Sequence, residues 1–235
     1  MCAYVTRTVP LEHEVLAAVL QVRNGTLSVL MWRRALDPHI GRWSLPGGRL
    51  GSRENVEASI RRNLAEKVDL TQLKHVEELA AFSAPDRVPG PRVLATSFLG
   101  LVPSNVEPVV PEDTTWHPVA MLPRTAFDHD EIVHHARDRL RAKLSYTNIG
   151  FALVPEKFTM SALRDHYAAA LGYRLSATNL QRVLFRRDVL HDTGQRARPG
   201  STGGRPATLF SFTSQRIQIT DPFAAFRPPE QEHAT

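Results

Sequence analysis

The chain has 235 residues, of which 42% are hydrophobic and 23% charged, the composition of an ordinary soluble globular protein with room for one large or two modest domains. No apolar run approaches the roughly 20 residues that span a bilayer, Met1–His13 lack a basic start followed by a long apolar stretch, and the lone Cys2 excludes an internal disulfide or a Cys-rich metal site. A cytoplasmic, nucleoid-associated protein without membrane partners is expected. The net charge of +5 is held unevenly: residues 174–205 carry seven arginines against Asp188 and Asp192. Such a block either forms a solvated basic face or attracts a polyanion such as nucleic acid through counterion release.

Val15–Gln21 and Leu27–Trp32 read as two strands joined at Asn24-Gly25, a strong hairpin signal. Val93–Val102 is a further strand ahead of the Pro-rich stretch 103–111. Ile132, Ala136, Leu140 and Leu144 recur at steps of four and predict an amphipathic helix over 131–144. Thr159 then precedes Met160, Leu163, Tyr167 and Leu171, with Gly172 as the stop, and Ser176 caps a second helix striped by Leu180, Val183 and Leu184. Strands at Val189–Thr193 and Thr208–Thr213 flank a Gly/Arg-rich loop, 194–206. The expected organisation is a first domain at 1–130, a linker helix at 131–150, a second domain at 151–220 and a flexible tail at 221–235.

Helix, turn, capped helix and two strands around an arginine loop is the order of a winged helix-turn-helix. On the second helix Asn179, Arg182 and Arg186 lie opposite the apolar stripe at i, i+3 and i+7, flanked by Thr178, Gln181 and Arg187. Asn, Gln and Arg pair bidentately with adenine or guanine edges in the major groove, which makes this the expected recognition helix. Arg196, Arg198 and Arg205 in the glycine-bearing loop suit phosphates or a narrow minor groove. Phe185 is expected to pack under the wing. His134, His135 and His166 form no convincing zinc cluster, and no nucleophile elbow is present.

Trp43-Ser44-Leu45-Pro46-Gly47 leads into Gly48, Glu54, Arg62, Leu64, Glu66 and Leu70, whose spacing resembles the Nudix box, G-x5-E-x7-R-E-U-x-E-E-x-G-U with U a bulky aliphatic. The resemblance implies an α/β/α sandwich, so the fold class is α+β with a C-terminal winged helix-turn-helix. In intact members three carboxylates stand on one helix face at the positions of Asn63, Glu66 and Lys67 and hold the divalent cations that neutralise a pyrophosphate and activate water. Only Glu66 survives here; Asn63 offers a neutral amide, Lys67 a positive charge, and Asp69 replaces the glycine at the helix exit. Hydrolysis is therefore expected to be crippled, so that the chain is no enzyme, has no catalytic residues and requires no cofactor, with Mg²⁺ at most a residual occupant.

The pocket need not be lost with the metal ligands. Gly47 and Gly48 precede a helix N-terminus that favours phosphate, and Lys67 is a candidate to replace a cation against a diphosphate. Trp43 either stacks on a base or packs in the core, and Arg34 and Arg49 either grip phosphate or stand in solvent. Glu54 and Glu66 are either weak residual metal ligands or helix-surface partners, Glu66 in an i, i+4 pair with Arg62.

An eroded Nudix box joined to a winged helix is similar to the Nudix-related transcriptional regulators of NAD metabolism, the NrtR family. His129-Asp130-Glu131-Ile132, Leu140-Arg141-Ala142-Lys143-Leu144 and Phe151-Ala152-Leu153 before Pro155 resemble its linker; Phe158-Thr159 and Gly204-Arg205-Pro206-Ala207 resemble its helix start and wing return. The resemblance implies a homodimeric repressor on a palindromic double-stranded operator near NAD biosynthesis or salvage genes, responsive to ADP-ribose or a related NAD-derived nucleotide. Two rivals stand beside it: an active ADP-ribose-type pyrophosphatase, its metal site completed by Glu77, Glu78 or Glu112, and a winged helix that contacts protein.

Overall fold

The computed structural model describes residues 11–68, 70–197 and 206–221. The chain divides into two compact units: the described residues up to Gln21 with Leu27–Val102 and Val106–Arg137, and Val22–Thr26 with Pro103–Asn105 and the described residues from Asp138 onward.

The first unit is built on a seven-stranded mixed sheet. β1 (Leu11–Arg23) and β2 (Thr26–Arg33) form the hairpin expected around Asn24-Gly25, each longer than its apolar run because polar residues extend both ends. β3 (Trp43–Ser44) pairs with β2, and β4 (Gly47–Arg49) lies antiparallel to β1. Helix α1 (Val56–Val68) follows, then β5 (His75–Phe82), β6 (Arg92–Leu101) and β7 (Thr114–Pro118). β6 runs parallel to β1 from Leu11↔Arg92 to Leu20↔Leu101, while β7 adds an edge to β2.

β1 is buried on both faces, as its near-continuous apolar run requires. Val15, Ala17 and Val19 join Ile60, Leu64 and Val68 of α1 in one core cluster. Leu16, Ala18 and Leu20 point to the other face and are equally buried, as are Ile132, Val133 and Ala136 of α2 (His129–Tyr146). The sheet thus carries apolar residues on both faces, as the sandwich expectation required.

In the second unit α3 (Met160–Leu171) starts at Thr159, whose hydroxyl accepts from the Ala162 N–H, and stops at Gly172 with φ +85°. α4 (Ala177–Arg186) is capped by Ser176, whose oxygen accepts from the Asn179 N–H. β8 (Leu190–Arg196) and β9 (Thr208–Phe212) form the antiparallel wing, and Phe158 adds a bridge to Phe210. Leu163, Tyr167, Leu184, Leu190, Phe210 and Phe212 fill this core. Both helices fall where their caps placed them. Arg198 and Arg205, like Asp69 and the tail from 222, lie outside the described residues.

Candidate functional site

The turn from β4 to α1 is built on close approach. A Cβ on Gly47 would stand 2.1 Å from the Val15 carbonyl oxygen, so no side chain fits while β4 pairs with β1. At Gly48 a Cβ would stand 2.4 Å from Asn63 Oδ1 and 2.7 Å from Lys67 Nζ. Gly47 therefore lets β4 close on β1, and Gly48 lets two side chains of α1 approach the strand. Asn63 is buried and donates from Nδ2 to the Ser59 carbonyl at 2.9 Å, which turns its Oδ1 toward Gly48. Lys67, an exposed residue, donates from Nζ to the Gly47 carbonyl at 2.6 Å. Burial, then Arg62, draws the Lys67 amine below its ordinary pKa, against the opposite pull of Glu66 and Glu14.

The two remaining box carboxylates are engaged by Arg62. It holds Glu54 at 2.6 Å and 3.0 Å and reaches Glu66 at 3.1 Å, the expected i, i+4 pair. Glu54 also accepts from the Gly51 N–H at 2.7 Å. The Arg62 bond first, then that N–H, holds the Glu54 carboxyl down at about 2.

Beside this turn opens a cleft of about 190 Å³ lined by Glu12, His13, Glu14, Arg34, Arg49 and Phe127, among others. Arg49 is largely exposed and pairs with Glu12 at 2.8 Å. Arg34 places its guanidinium 4.9 Å from the Phe127 ring centre and donates to the Pro38 carbonyl. Beneath it, the Arg87 guanidinium (1% exposed) is shared by Glu14 at 2.6 Å and Asp128 at 2.7 Å. Burial opposes the charge on Arg87, but the bonds to Asp128 and Glu14 outweigh it and raise its pKa. His129, wholly buried, accepts the Leu45 N–H at Nδ1 and is pushed down to about 3 by burial and then by Arg87. Trp43 lies outside the cleft lining and meets the His117 ring edge-on at 4.2 Å.

On the second unit α4 exposes Thr178, Asn179, Arg182 and Arg186, with Gln181 half-buried beside them. Arg182 donates to Asn179 Oδ1 at 2.9 Å, which sets the two side chains side by side. Arg196 stands exposed on the wing and bonds Thr208 across it. Arg187 departs from the expected face. Its side chain is 11% exposed and paired to Asp221 at 2.9 Å, because it lies past the last turn of α4, where the helical wheel no longer sets its direction. Phe185 is 39% exposed and packs edge-on against Phe210 of the wing.

Residues 12–136 match the NUDIX domain family, and residues 150–212 match the NrtR DNA-binding winged helix domain. The chain belongs to the NUDIX family. Beyond its Nudix domain it carries an NrtR-type winged helix, and both parts have relatives. It is 28% identical over 212 residues to the ADPR responsive transcriptional repressor NtrR of Acinetobacter baylyi, covering 87% of this chain and 83% of that protein. Shewanella oneidensis NrtR complexed with a 27mer DNA matches with a TM-score of 0.72 and 26% identity over 91% of this chain and 95% of that one. The NUDIX domain of the same protein complexed with ADP ribose matches with a TM-score of 0.50 and 26% identity, over 59% and 94% of the two chains.

Nudix domains generally use a divalent metal, and the residues present do not fit one. Among the described residues no group of three or more His, Cys, Asp and Glu stands ready to hold a cation. Glu54 and Glu66 are taken by Arg62, and the Gly47 carbonyl by Lys67. Of the residues singled out on sequence, Arg34 and Arg49 share the cleft, and Gly47, Gly48 and Lys67 meet beside it; Trp43 and Glu66 point elsewhere. Glu12, Glu14, Phe127 and the Arg87–Asp128 pair had no motif to announce them. The one available signal was Glu14, a charge at the head of an apolar run. Among the described residues no helix is long and apolar enough to cross a membrane.

Proposed function

We propose that this chain is an ADP-ribose-responsive transcriptional repressor. It acts in the cytoplasm as a homodimer, binds a palindromic operator through α4 and the wing, and controls genes of NAD biosynthesis or salvage. The observation that carries the reading is the pairing of two sites on one chain: an exposed Asn179, Arg182 and Arg186 face on the winged helix, and an arginine-lined cleft beside a box whose Gly47 carbonyl is bonded by Lys67. The relatives with this domain pair are described as an ADPR responsive repressor and as an NrtR bound to DNA, which supports both halves. In this reading ADP-ribose or a related NAD-derived nucleotide fills the cleft, binds the DNA-incompetent state more tightly and releases the operator, and a tenfold release needs about 1.4 kcal/mol of coupling. The domain hydrolyses nothing and needs no cofactor.

The test is fluorescence anisotropy on DNA from upstream of NAD-metabolism genes, with and without ADP-ribose. Specific binding relieved by the nucleotide is expected. Binding no tighter than to random DNA at moderate salt refutes the repressor, and rapid Mg²⁺-dependent cleavage of ADP-ribose refutes the loss of catalysis.

A further inference from the structure

The mismatch between the Nudix box and a divalent cation has a specific form. An intact box needs a dication close to the glycine turn, so that negative oxygens on the chain and on the ligand meet across it. Here the turn's carbonyl, that of Gly47, accepts from the Lys67 ammonium at 2.6 Å, and Nζ lies 2.7 Å from where a Gly48 Cβ would stand. Asn63, a neutral amide in place of a carboxylate, borders the same point through Oδ1. A dication placed among these atoms would meet a like charge within contact distance and a carbonyl already bonded. Lys67 is an exposed residue, and Gly48 is followed directly by Arg49, which lines the cleft.

We propose that Lys67 is a tethered cation: its ammonium occupies the metal position and supplies the positive charge that receives the ligand's diphosphate, so that nucleotide binding is independent of metal. The change is conservative in charge only at the ligand. A dication held by three carboxylates leaves the local site near net −1, whereas the same three positions here, an ammonium, a neutral amide and one carboxylate, sum to zero without any free ion. The fixed ammonium therefore offers its charge to an anionic ligand at all divalent-ion concentrations, and occupancy follows the nucleotide alone. This rests on the reading of the cleft as a nucleotide site.

The experiment uses the full chain stripped with EDTA. ADP-ribose affinity by calorimetry is expected to agree within about twofold with and without Mg²⁺. Lys67→Met, which keeps the stem and removes the charge, weakens binding by on the order of 10- to 100-fold in either buffer. A wild-type requirement for Mg²⁺, or a Lys67→Met variant that binds like wild type, overturns the proposal. A second readout needs no nucleotide: Mn²⁺ titration followed by electron paramagnetic resonance. Wild type leaves Mn²⁺ free, and Lys67→Glu, which places a second carboxylate beside Glu66, binds it; Mn²⁺ held by both proteins or by neither overturns the tethered cation. Failure of ADP-ribose to bind in any buffer refutes the assigned effector instead, and the Mn²⁺ titration then decides the cation position alone.

Discussion

Acid should loosen the Nudix domain through one imidazole. His129 is fully enclosed at the start of α2 and accepts the Leu45 N–H at 2.9 Å, two residues ahead of Gly47. Its folded pKa is about 3 against an ordinary 6.5, because burial and the neighbouring Arg87 and Arg34 all disfavour the cation. The unfolded chain takes up a proton near pH 6.5, whereas the folded chain refuses it until near pH 3. Stability from this group is therefore complete above pH 6.5 and lost progressively as pH falls toward 3. From pH 7.5 to 5 the loss is about 2 kcal/mol, at about 1.4 kcal/mol per pH unit below 6.5. Asparagine keeps a side-chain oxygen for the Leu45 N–H and cannot titrate, so His129→Asn isolates the effect. Urea unfolding followed by tryptophan fluorescence reads the right unit, since Trp32, Trp43 and Trp116 all lie in the first one. Wild type should lose about 2 kcal/mol more than the variant over that range. Equal losses in the two proteins would mean that His129 is not held neutral, and the reasoning fails.

The Arg87 network and the α4 face give further expectations. Arg87→Met leaves Glu14 and Asp128 without their shared partner in a half-buried setting and should lower stability by about 3 kcal/mol in urea unfolding; a loss below about 1 kcal/mol would mark the pair as solvent-screened. Arg182→Ala and Arg186→Ala should each weaken operator binding by about 1–3 kcal/mol in anisotropy titrations, with unfolding free energies unchanged within about 0.5 kcal/mol because both side chains are exposed. An equal loss on random DNA would assign the arginine to phosphate contacts and not to base edges.

What could be read from the sequence was whatever has a local physical signal. The caps Thr159 and Ser176 fix helix starts through bonds made within three residues, so both helices of the winged domain were legible. The apolar run from Val15 marked β1, and the box spacing marked α1. β5 was not legible, because His-Val-Glu-Glu-Leu-Ala-Ala-Phe has no two-residue alternation and includes a bulge at Glu78/Ala80. β7 was missed because it is a five-residue edge strand, Thr114–Pro118, whose place is set by pairing with the distant β2. The cleft escaped for a related reason. Glu12, His13 and Glu14 reach it only because β1 pairs in parallel with β6 and antiparallel with β4, and no spacing along the chain encodes that. Arg186 and Arg187 differ by one position, but one stands in the last turn of the helix and the other beyond it.

The buried amide of Asn148 sets where the winged-helix half can be cut. Its Oδ1 accepts the Gln218 N–H at 2.7 Å and its Nδ2 donates to the Arg216 carbonyl at 2.9 Å, while Arg187 depends on Asp221. The winged-helix match stops at residue 212, and a chimera trimmed there would strip a nearly inaccessible amide of these partners and a largely buried guanidinium of its counter-charge. Each orphaned polar group of that kind costs about 1–3 kcal/mol, a large share of what a module this small has to spare. A portable version of the winged helix has to run through Asp221.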